Sequence, residues 1–81
     1  MNQQTFHGVI EALNELKDDS TVPKNIKAKF ENMILLLQED VEDSIKISRV
    51  MHEIEEIDSD SNVEPYTRTQ ILQVVSLLEM L

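Results

Sequence analysis

The chain has 81 residues, of which 16 are acidic and seven are basic, so its net charge at neutral pH is −9. This length has room for one domain, residues 1–81, and a hydrophobic content of 41% is sufficient for a folded core. So acidic a surface repels phosphate backbones and anionic lipids, which argues against nucleic-acid and membrane partners. The chain has no cysteine, and its N-terminus lacks a signal-peptide pattern, so we expect a cytoplasmic protein.

The first apolar-periodic segment, about residues 3–17, predicts a helix. Its stripe recurs every three or four residues and consists of Phe6, Val9, Ile10, Leu13 and Leu16. Asn2 or Thr5 has a side chain suited to the N-cap. Gly8 costs a helix about 1 kcal/mol relative to alanine. We therefore expect Gly8 to permit the close approach of another helix, unless the helix begins after it.

A second helix is predicted to open at Pro23, because proline is tolerated in a first turn, where its missing N–H would have no intrahelical partner. Thr21 or Ser20 is expected to cap it. The buried stripe of this helix is predicted to comprise Ile26, Phe30, Met33, Ile34, Leu37 and Val41. Leu35 and Leu36 widen the stripe beyond what one neighbouring helix can cover, so this helix is central to the fold or faces another subunit.

Residues 38–40 are predicted to form a short break, although neither glycine nor proline marks it. The alternative, one helix of about 35 residues, is unusual in so small a domain. Asp40 is expected to cap a third helix of about residues 41–57. The stripe of this helix is Ile47, Val50, Met51, Ile54 and Ile57, with Ile45 on its flank.

A turn is predicted at residues 58–62, followed by a fourth helix from about Pro65 to Glu79 or beyond. Its inner face consists of Ile71, Val74, Val75, Leu78 and Leu81. Leu72, Leu77 and Met80 broaden this face, as Leu35 and Leu36 do in the second helix.

The two halves of the chain form an internal repeat. A shift of 41 positions aligns the turn Asp19-Ser20-Thr21-Val22 with Asp60-Ser61-Asn62-Val63, and it aligns the apolar stripes on both sides without a gap. The repeat predicts an all-α fold, a four-helix bundle built from two helical hairpins of about residues 3–38 and 41–81. The alternative is a pair of HEAT-like repeats, but solenoids generally need about three repeats for stability.

Three stretches carry a resemblance to a known family: residues 19–27, the sequence Arg68-Thr69-Gln70-Ile71, and Val75-Ser76-Leu77-Leu78-Glu79. Over most of its length the chain resembles a small, uncharacterised archaeal protein family of short, acidic, all-helical chains. That family usually has a proline where this chain has Glu64 and a tryptophan near Leu72; here the proline is Pro65. The resemblance implies a four-helix bundle of unknown function and assigns no catalytic residue.

The stretch Asp58 to Glu64 imitates the opening of an EF-hand loop, with oxygen-bearing side chains at alternate positions. The pattern fails where the loop needs glycine, which is Val63 here, and where it needs a closing glutamate, which is Thr69. Asp, Ser and Asn as turn formers explain the stretch better.

The two histidines each have glutamate one helical turn onward: Glu11 follows His7, and Glu55 and Glu56 follow His52. One such pair is half a metal site, and Arg49 stands where a di-iron bundle motif needs glutamate before His52. We therefore expect surface histidines and no metal, cofactor or small-molecule ligand. The lack of catalytic motifs and of space for a substrate pocket predicts a protein that is not an enzyme.

Two surfaces remain as candidate sites. The apolar excess of the second and fourth helices comprises Leu35, Leu36, Leu72, Leu77 and Met80, which favours a protein-interaction or scaffold module, including a homodimer. The basic residues at the starts of those helices are Lys24, Lys27, Lys29 and Arg68. They support the alternative hypothesis, a nucleic-acid-associated accessory factor that contacts anions there.

Overall fold

The computed structural model describes residues 6–80 and contains four α-helices over that range. They are α1 (His7–Lys17), α2 (Lys24–Leu37), α3 (Asp43–Asp58) and α4 (Pro65–Glu79). Each helix packs against its neighbours in the cyclic order α1, α2, α3, α4 and back to α1, so α2 and α4 lie on a diagonal. The fold is the predicted four-helix bundle, 37 Å long and about 20 Å across. None of these four helices has the length and apolar character that crossing a membrane requires.

The core confirms the predicted stripes in all four helices. The side chain of Phe30 is fully buried in this core. The buried apolar side chains form one cluster that includes Val9, Leu13, Leu16, Ile26, Met33, Leu37, Val50, Ile54, Ile57, Ile71, Val74 and Leu78. Ile10, Ile47, Met51 and Val75 are half-buried and pack against it. Val41, predicted in the stripe of the second helix, is instead exposed, because it lies in the connection after α2 ends at Leu37. Ile45, predicted on the flank of the third helix, is exposed in the first turn of α3.

The internal repeat is visible in the hydrogen bonds of the two hairpin turns. The backbone N–H of Thr21 donates to the Asp19 carboxylate at 2.9 Å, and that of Asn62 donates to the Asp60 carboxylate at 2.8 Å. Each aspartate therefore closes an Asx-turn over the same span, 41 positions apart. The agreement of these turns supports two hairpins of common design.

The valine that follows each turn is buried, Val22 in the first half and Val63 in the second. Their N–H groups donate to the carbonyls of Asp19 and Asp60 at 3.1 and 3.4 Å. The equivalent positions of the four helices are buried alike, in the pairs Val9 and Val50, Leu13 and Ile54, Leu16 and Ile57, Phe30 and Ile71, Met33 and Val74, and Leu37 and Leu78. The shift of 41 thus relates the core as well as the turns.

The predicted side-chain caps are wrong where the structure describes them. Neither Thr21 nor Ser20 caps α2; its N-cap residue is Pro23, and the Thr21 hydroxyl donates to the Asp19 carboxylate at 2.7 Å. Asp40 does not cap α3, which begins later, after Glu42. The extended backbone of these N-cap residues lets their carbonyls accept the first helical hydrogen bonds, so the main chain alone starts each helix. Asn2 and Thr5 lie outside the described residues, as does Leu81.

The prolines explain how one register serves both hairpins. α2 begins at Lys24 and α4 at Pro65, which are equivalent positions. Pro23 is therefore the N-cap residue of α2, whereas Pro65 is the first residue of α4. Both positions tolerate proline, because neither N–H has an intrahelical acceptor.

The helix boundaries and the surroundings of Gly8 decide two further expectations. The helical structure is interrupted between Leu37, where α2 ends, and Asp43, where α3 begins, so the alternative of a single long helix is excluded. Gly8 does not mediate a close helix approach: it is exposed in the first turn of α1, and a Cβ atom there would meet nothing within 4 Å.

Candidate interaction surface

The solvent-facing side of α4 exposes three large apolar side chains. Tyr66 is 61% exposed, Leu72 63% and Met80 80%. The exposed residues between them are uncharged and polar: Thr69, Gln73 and Ser76. We call these six residues the α4 outer face. At 1.5 Å per residue it extends for about 21 Å along the helix.

The absence of charge on this face is notable in a chain with 23 charged residues. α4 contains two charged residues, Arg68 and Glu79, and both lie at one edge of the face. Arg68 turns towards the preceding loop, where Nη1 donates to the Asp58 carbonyl at 2.8 Å and Nη2 to the Asp60 carbonyl at 2.7 Å. The face itself therefore presents apolar groups framed by hydroxyl and amide groups.

The five residues predicted as an apolar surface do not come together. Leu72 and Met80 lie on the α4 outer face, whereas Leu35 is 52% exposed on α2. Leu36 and Leu77 are half-buried and pack against the core. Because α2 and α4 are diagonal in the bundle, their outer sides point in different directions. The structure thus divides the predicted surface and leaves its larger part on α4.

Tyr66 is the residue of this face that the sequence interpretation missed. It stands seven residues before Gln73, which in turn stands seven before Met80, and two helical turns separate each pair. That spacing marks a common face, but the predicted apolar excess of the fourth helix comprised Leu72, Leu77 and Met80 without Tyr66. Thr67 was also missed: it is 2% exposed and occupies the core position equivalent to Ile26.

The four basic residues do not form a free cationic patch. Lys29 donates a 2.9 Å hydrogen bond to Glu56 on α3 and lies 3.9 Å from Glu53. The hydrogen bond to Glu56 raises the pKa of Lys29, and the same bond lowers the pKa of Glu56. Arg68 is bound to the α3–α4 turn. Two of the four cations, Lys29 and Arg68, are therefore bonded within the fold. Of the other two, Lys24 is exposed and Lys27 is half-buried.

The second hairpin turn is bound to the start of α2. The Asp60 carboxylate accepts a hydrogen bond from the Asn25 side chain at 3.3 Å in addition to the N–H of Asn62. The aspartate that imitated a calcium ligand therefore serves as a structural acceptor. His52 lies on the exposed side of α3, with Nε2 3.4 Å from Glu56 Oε2. Within residues 6–80, no three side chains of the metal-ligating types come together.

A shallow groove of about 400 Å³ runs between α2 and α3, and its floor includes Leu36. Its walls are polar, with Asn32 on one side and Arg49 and His52 on the other. Arg49 lies 3.7 Å from Glu39, so its charge is partly balanced within the fold. Ser48 and Glu53 complete the lining of the groove.

Comparison with known proteins places these features in a family. The sequence model of "Uncharacterised protein family (UPF0147)" matches residues 1–81. A UPF0147 protein of Methanocaldococcus jannaschii is 37% identical over 78 residues, which is 95% of this chain and 84% of that protein. One from Thermoplasma volcanium is 34% identical over 82 residues, covering 100% of this chain and 92% of the relative. No solved structure gives a significant match.

Proposed function

We propose that this chain, which belongs to the uncharacterised family UPF0147, is a non-enzymatic protein-interaction module that binds through the α4 outer face. The observation that carries the proposal is the group of Tyr66, Leu72 and Met80, more than half exposed on a helix face without charge. Exposed apolar groups gathered on one face, with a polar frame, are typical of protein-binding surfaces. A cytoplasmic location agrees with the lack of cysteine.

The internal repeat supports the proposal by providing a comparison within the same molecule. The positions equivalent to Tyr66, Leu72 and Met80 lie 41 residues earlier; they are Asn25 and Glu31 on α2 and Glu39 just after its end. Core positions keep their apolar character between the two halves, with the exception of Thr67 at the position equivalent to Ile26, whereas these surface positions differ. Folding alone does not require the difference, because the first hairpin forms the same structure with polar residues there.

Affinity capture with matched baits tests the proposal. Leu72→Glu introduces the residue type that the first hairpin has at the equivalent position, Glu31. Leu35→Glu places the same charge on α2, at a position that is also more than half exposed. Both changes are at exposed helix positions, so circular dichroism and urea unfolding should show little loss of stability.

We expect the wild-type and Leu35→Glu baits to retain the same proteins from a native lysate and the Leu72→Glu bait to lose them. Identical sets of captured proteins for all three baits would contradict a role for the α4 outer face. An accessory role with nucleic acid has less support, because Lys29 and Arg68 are already bonded within the fold.

A further inference from the structure

We propose that the partner of the α4 outer face is a second copy of this chain, with the two α4 helices antiparallel and a two-fold axis at Gln73. This inference rests on the proposed function and names its partner. The α4 outer face is a self-complementary surface, as an isologous dimer requires.

Charge selects this face for self-association. Two copies, each with a net charge of −9, repel one another, and the repulsion is smallest where the surfaces that meet carry no charge. The exposed sides of the other three described helices carry charges, among them Glu11 and Glu15 on α1, Lys24 and Glu31 on α2, and Glu55 and Glu56 on α3. Among the four described helices, α4 therefore offers the side on which two identical acidic molecules approach most easily.

The spacing of the apolar groups fits an antiparallel register. Tyr66 and Met80 are each seven residues from Gln73, which is two helical turns. An axis at Gln73 therefore places Tyr66 of one copy opposite Met80 of the other, twice by symmetry. A methionine sulfur beside an aromatic ring is a favourable contact. Parallel pairing would instead place each residue opposite its own copy.

The two charged residues of α4 fit the same register. Arg68 lies five residues before Gln73 and Glu79 six residues after it, on one edge of the face. Antiparallel pairing thus sets Arg68 of one copy level with Glu79 of the other at the edge of the pair, so the charges that approach there are opposite while Arg68 keeps its hydrogen bonds to the α3–α4 turn. In a parallel pair the two-fold axis runs along the helices and puts this edge of the two copies on opposite sides of the interface, so Arg68 and Glu79 would have no partner of opposite charge there.

The size of the face sets the strength of the pairing. A surface about 21 Å long and one helix wide falls at the small end of specific protein interfaces, a class that is typically transient. We therefore expect a dimer that forms and separates reversibly with protein concentration. Sedimentation measurements over roughly 1 μM to 1 mM cover the range in which such a dimer forms.

The first test is the solution mass of three proteins. For the wild type and for Leu35→Glu, we expect the weight-average mass to rise with concentration from 9.4 kDa towards twice that value. Leu72→Glu should remain at 9.4 kDa throughout, because the two new glutamates would face each other with like charges beside the axis of the pair. A wild type that stays monomeric over the whole range, or a Leu72→Glu dimer as strong as the wild type, would overturn the inference.

The second test uses the lack of native cysteine to examine the register. Gln73→Cys places a thiol at the axis, so two copies should form a disulfide rapidly under mild oxidation. Thr69→Cys places each thiol eight residues from its symmetry mate along the helix, which is about 12 Å and beyond the roughly 7 Å reach of a disulfide. Asn14→Cys, on the exposed side of α1, reports random collisions.

We expect fast cross-linking for Gln73→Cys and slow cross-linking for the other two variants. Equal rates for Gln73→Cys and Thr69→Cys would overturn the antiparallel register, and equal rates for all three would overturn self-pairing on this face. A monomeric wild type with lysate partners that Leu72→Glu loses would reject the second copy and retain the interaction module. A monomeric wild type without such partners would reject both proposals.

Discussion

Gly8 lowers the stability of α1 and has no packing role that would require glycine. It lies in the first turn of α1, its φ is not positive, and a Cβ atom would meet nothing within 4 Å. Alanine at this position restricts the unfolded chain and favours the helix, so we expect Gly8→Ala to raise the free energy of unfolding by about 0.5–1 kcal/mol. Urea unfolding measures the change. The reverse substitution at an exposed site of α2, Ala28→Gly, should lower the free energy of unfolding by about 1 kcal/mol, and a stability loss in Gly8→Ala would show that Gly8 has a packing role.

Asp19 connects the first hairpin turn to pH. The hydroxyl of Thr21 and then its backbone N–H donate to the Asp19 carboxylate, and with Lys27 nearby they hold the pKa of Asp19 below its ordinary value of 3.8. Because the folded pKa is the lower one, the carboxylate stabilises the fold above the unfolded value, and this contribution disappears as the pH falls through the folded pKa. Asp19→Ala should therefore be less stable than the wild type at pH 7, with a difference that narrows below about pH 4.

Urea midpoints measured from neutral to strongly acidic pH test this expectation. Asp18→Ala is the matched control, because it removes a carboxylate from the adjacent, exposed position without removing the turn. A constant difference between Asp19→Ala and the wild type at every pH would show that the carboxylate charge does not contribute.

The helices show which signals a sequence carries and which it lacks. The stripes and proline placement predicted α4 from about Pro65 to Glu79 or beyond, which agrees with its observed bounds, and they placed the start of α2 within one residue. The start of α3 was placed two residues early, because neither glycine nor proline marks it and no side chain caps it. Lys29 looked like a free cation because its partner Glu56 is 27 residues away, on a helix whose packing the sequence does not specify. The periodicity of the sequence therefore does not predict which side chains from different helices form ion pairs, or how exposed apolar residues are distributed between α2 and α4.

Arg68 links two elements, the end of α3 and the start of α4. Its planar guanidinium donates to the carbonyls of Asp58, the last residue of α3, and Asp60, in the turn. The last carbonyls of a helix have no intrahelical donor, so Arg68 supplies one to Asp58. We expect Arg68→Ala to lower the free energy of unfolding by about 1–2 kcal/mol, since hydrogen bonds from charged donors are stronger than neutral ones. Arg68→Lys should restore part of the loss, because a single ammonium group does not reproduce the two-carbonyl fork.

The internal repeat supplies the control for this substitution. Lys27 is the residue equivalent to Arg68 in the first hairpin. Lys27→Ala should change the free energy of unfolding by less than about 0.5 kcal/mol, as is usual for surface positions. Equal losses for Lys27→Ala and Arg68→Ala would show that charge near the turn, and not the carbonyl fork, stabilises the hairpin.

The whole molecule combines a symmetric interior with an asymmetric exterior. Eight buried positions in each half, from Val9 and Val50 to Leu37 and Leu78, correspond under one shift, with Thr67 in place of Ile26. The outer sides of α2 and α4 differ at equivalent positions, polar and charged in the first and apolar in the second. The bundle therefore does not need the α4 outer face for its own packing, which is why changes on that face should alter binding while leaving the fold intact.

The net charge of −9 acts on the molecule as a whole. Its dimensions of 37 × 20 × 19 Å are comparable to the Debye length of about 30 Å at 0.01 M salt, so like charges on opposite sides repel at low ionic strength. The ion pairs Lys29–Glu56 and Arg49–Glu39 are substantially exposed and contribute little to stability. Salt therefore lowers the free energy of unfolding less by weakening these pairs than it raises it by screening the repulsion among the excess negative charges. We therefore expect the midpoint of thermal unfolding to rise with added sodium chloride at pH 7, by about 4–8 °C for each 1 kcal/mol gained.

Dilute samples keep association out of this measurement, and pH provides the control. Near the isoelectric point of about 4.4 the net charge vanishes, so the same addition of salt should leave the midpoint almost unchanged. A midpoint that falls with salt at pH 7 would mean that exposed ion pairs outweigh the net charge. Self-association on the α4 outer face would then need another explanation for the choice of face, because repulsion between the acidic surfaces is the argument that selects it.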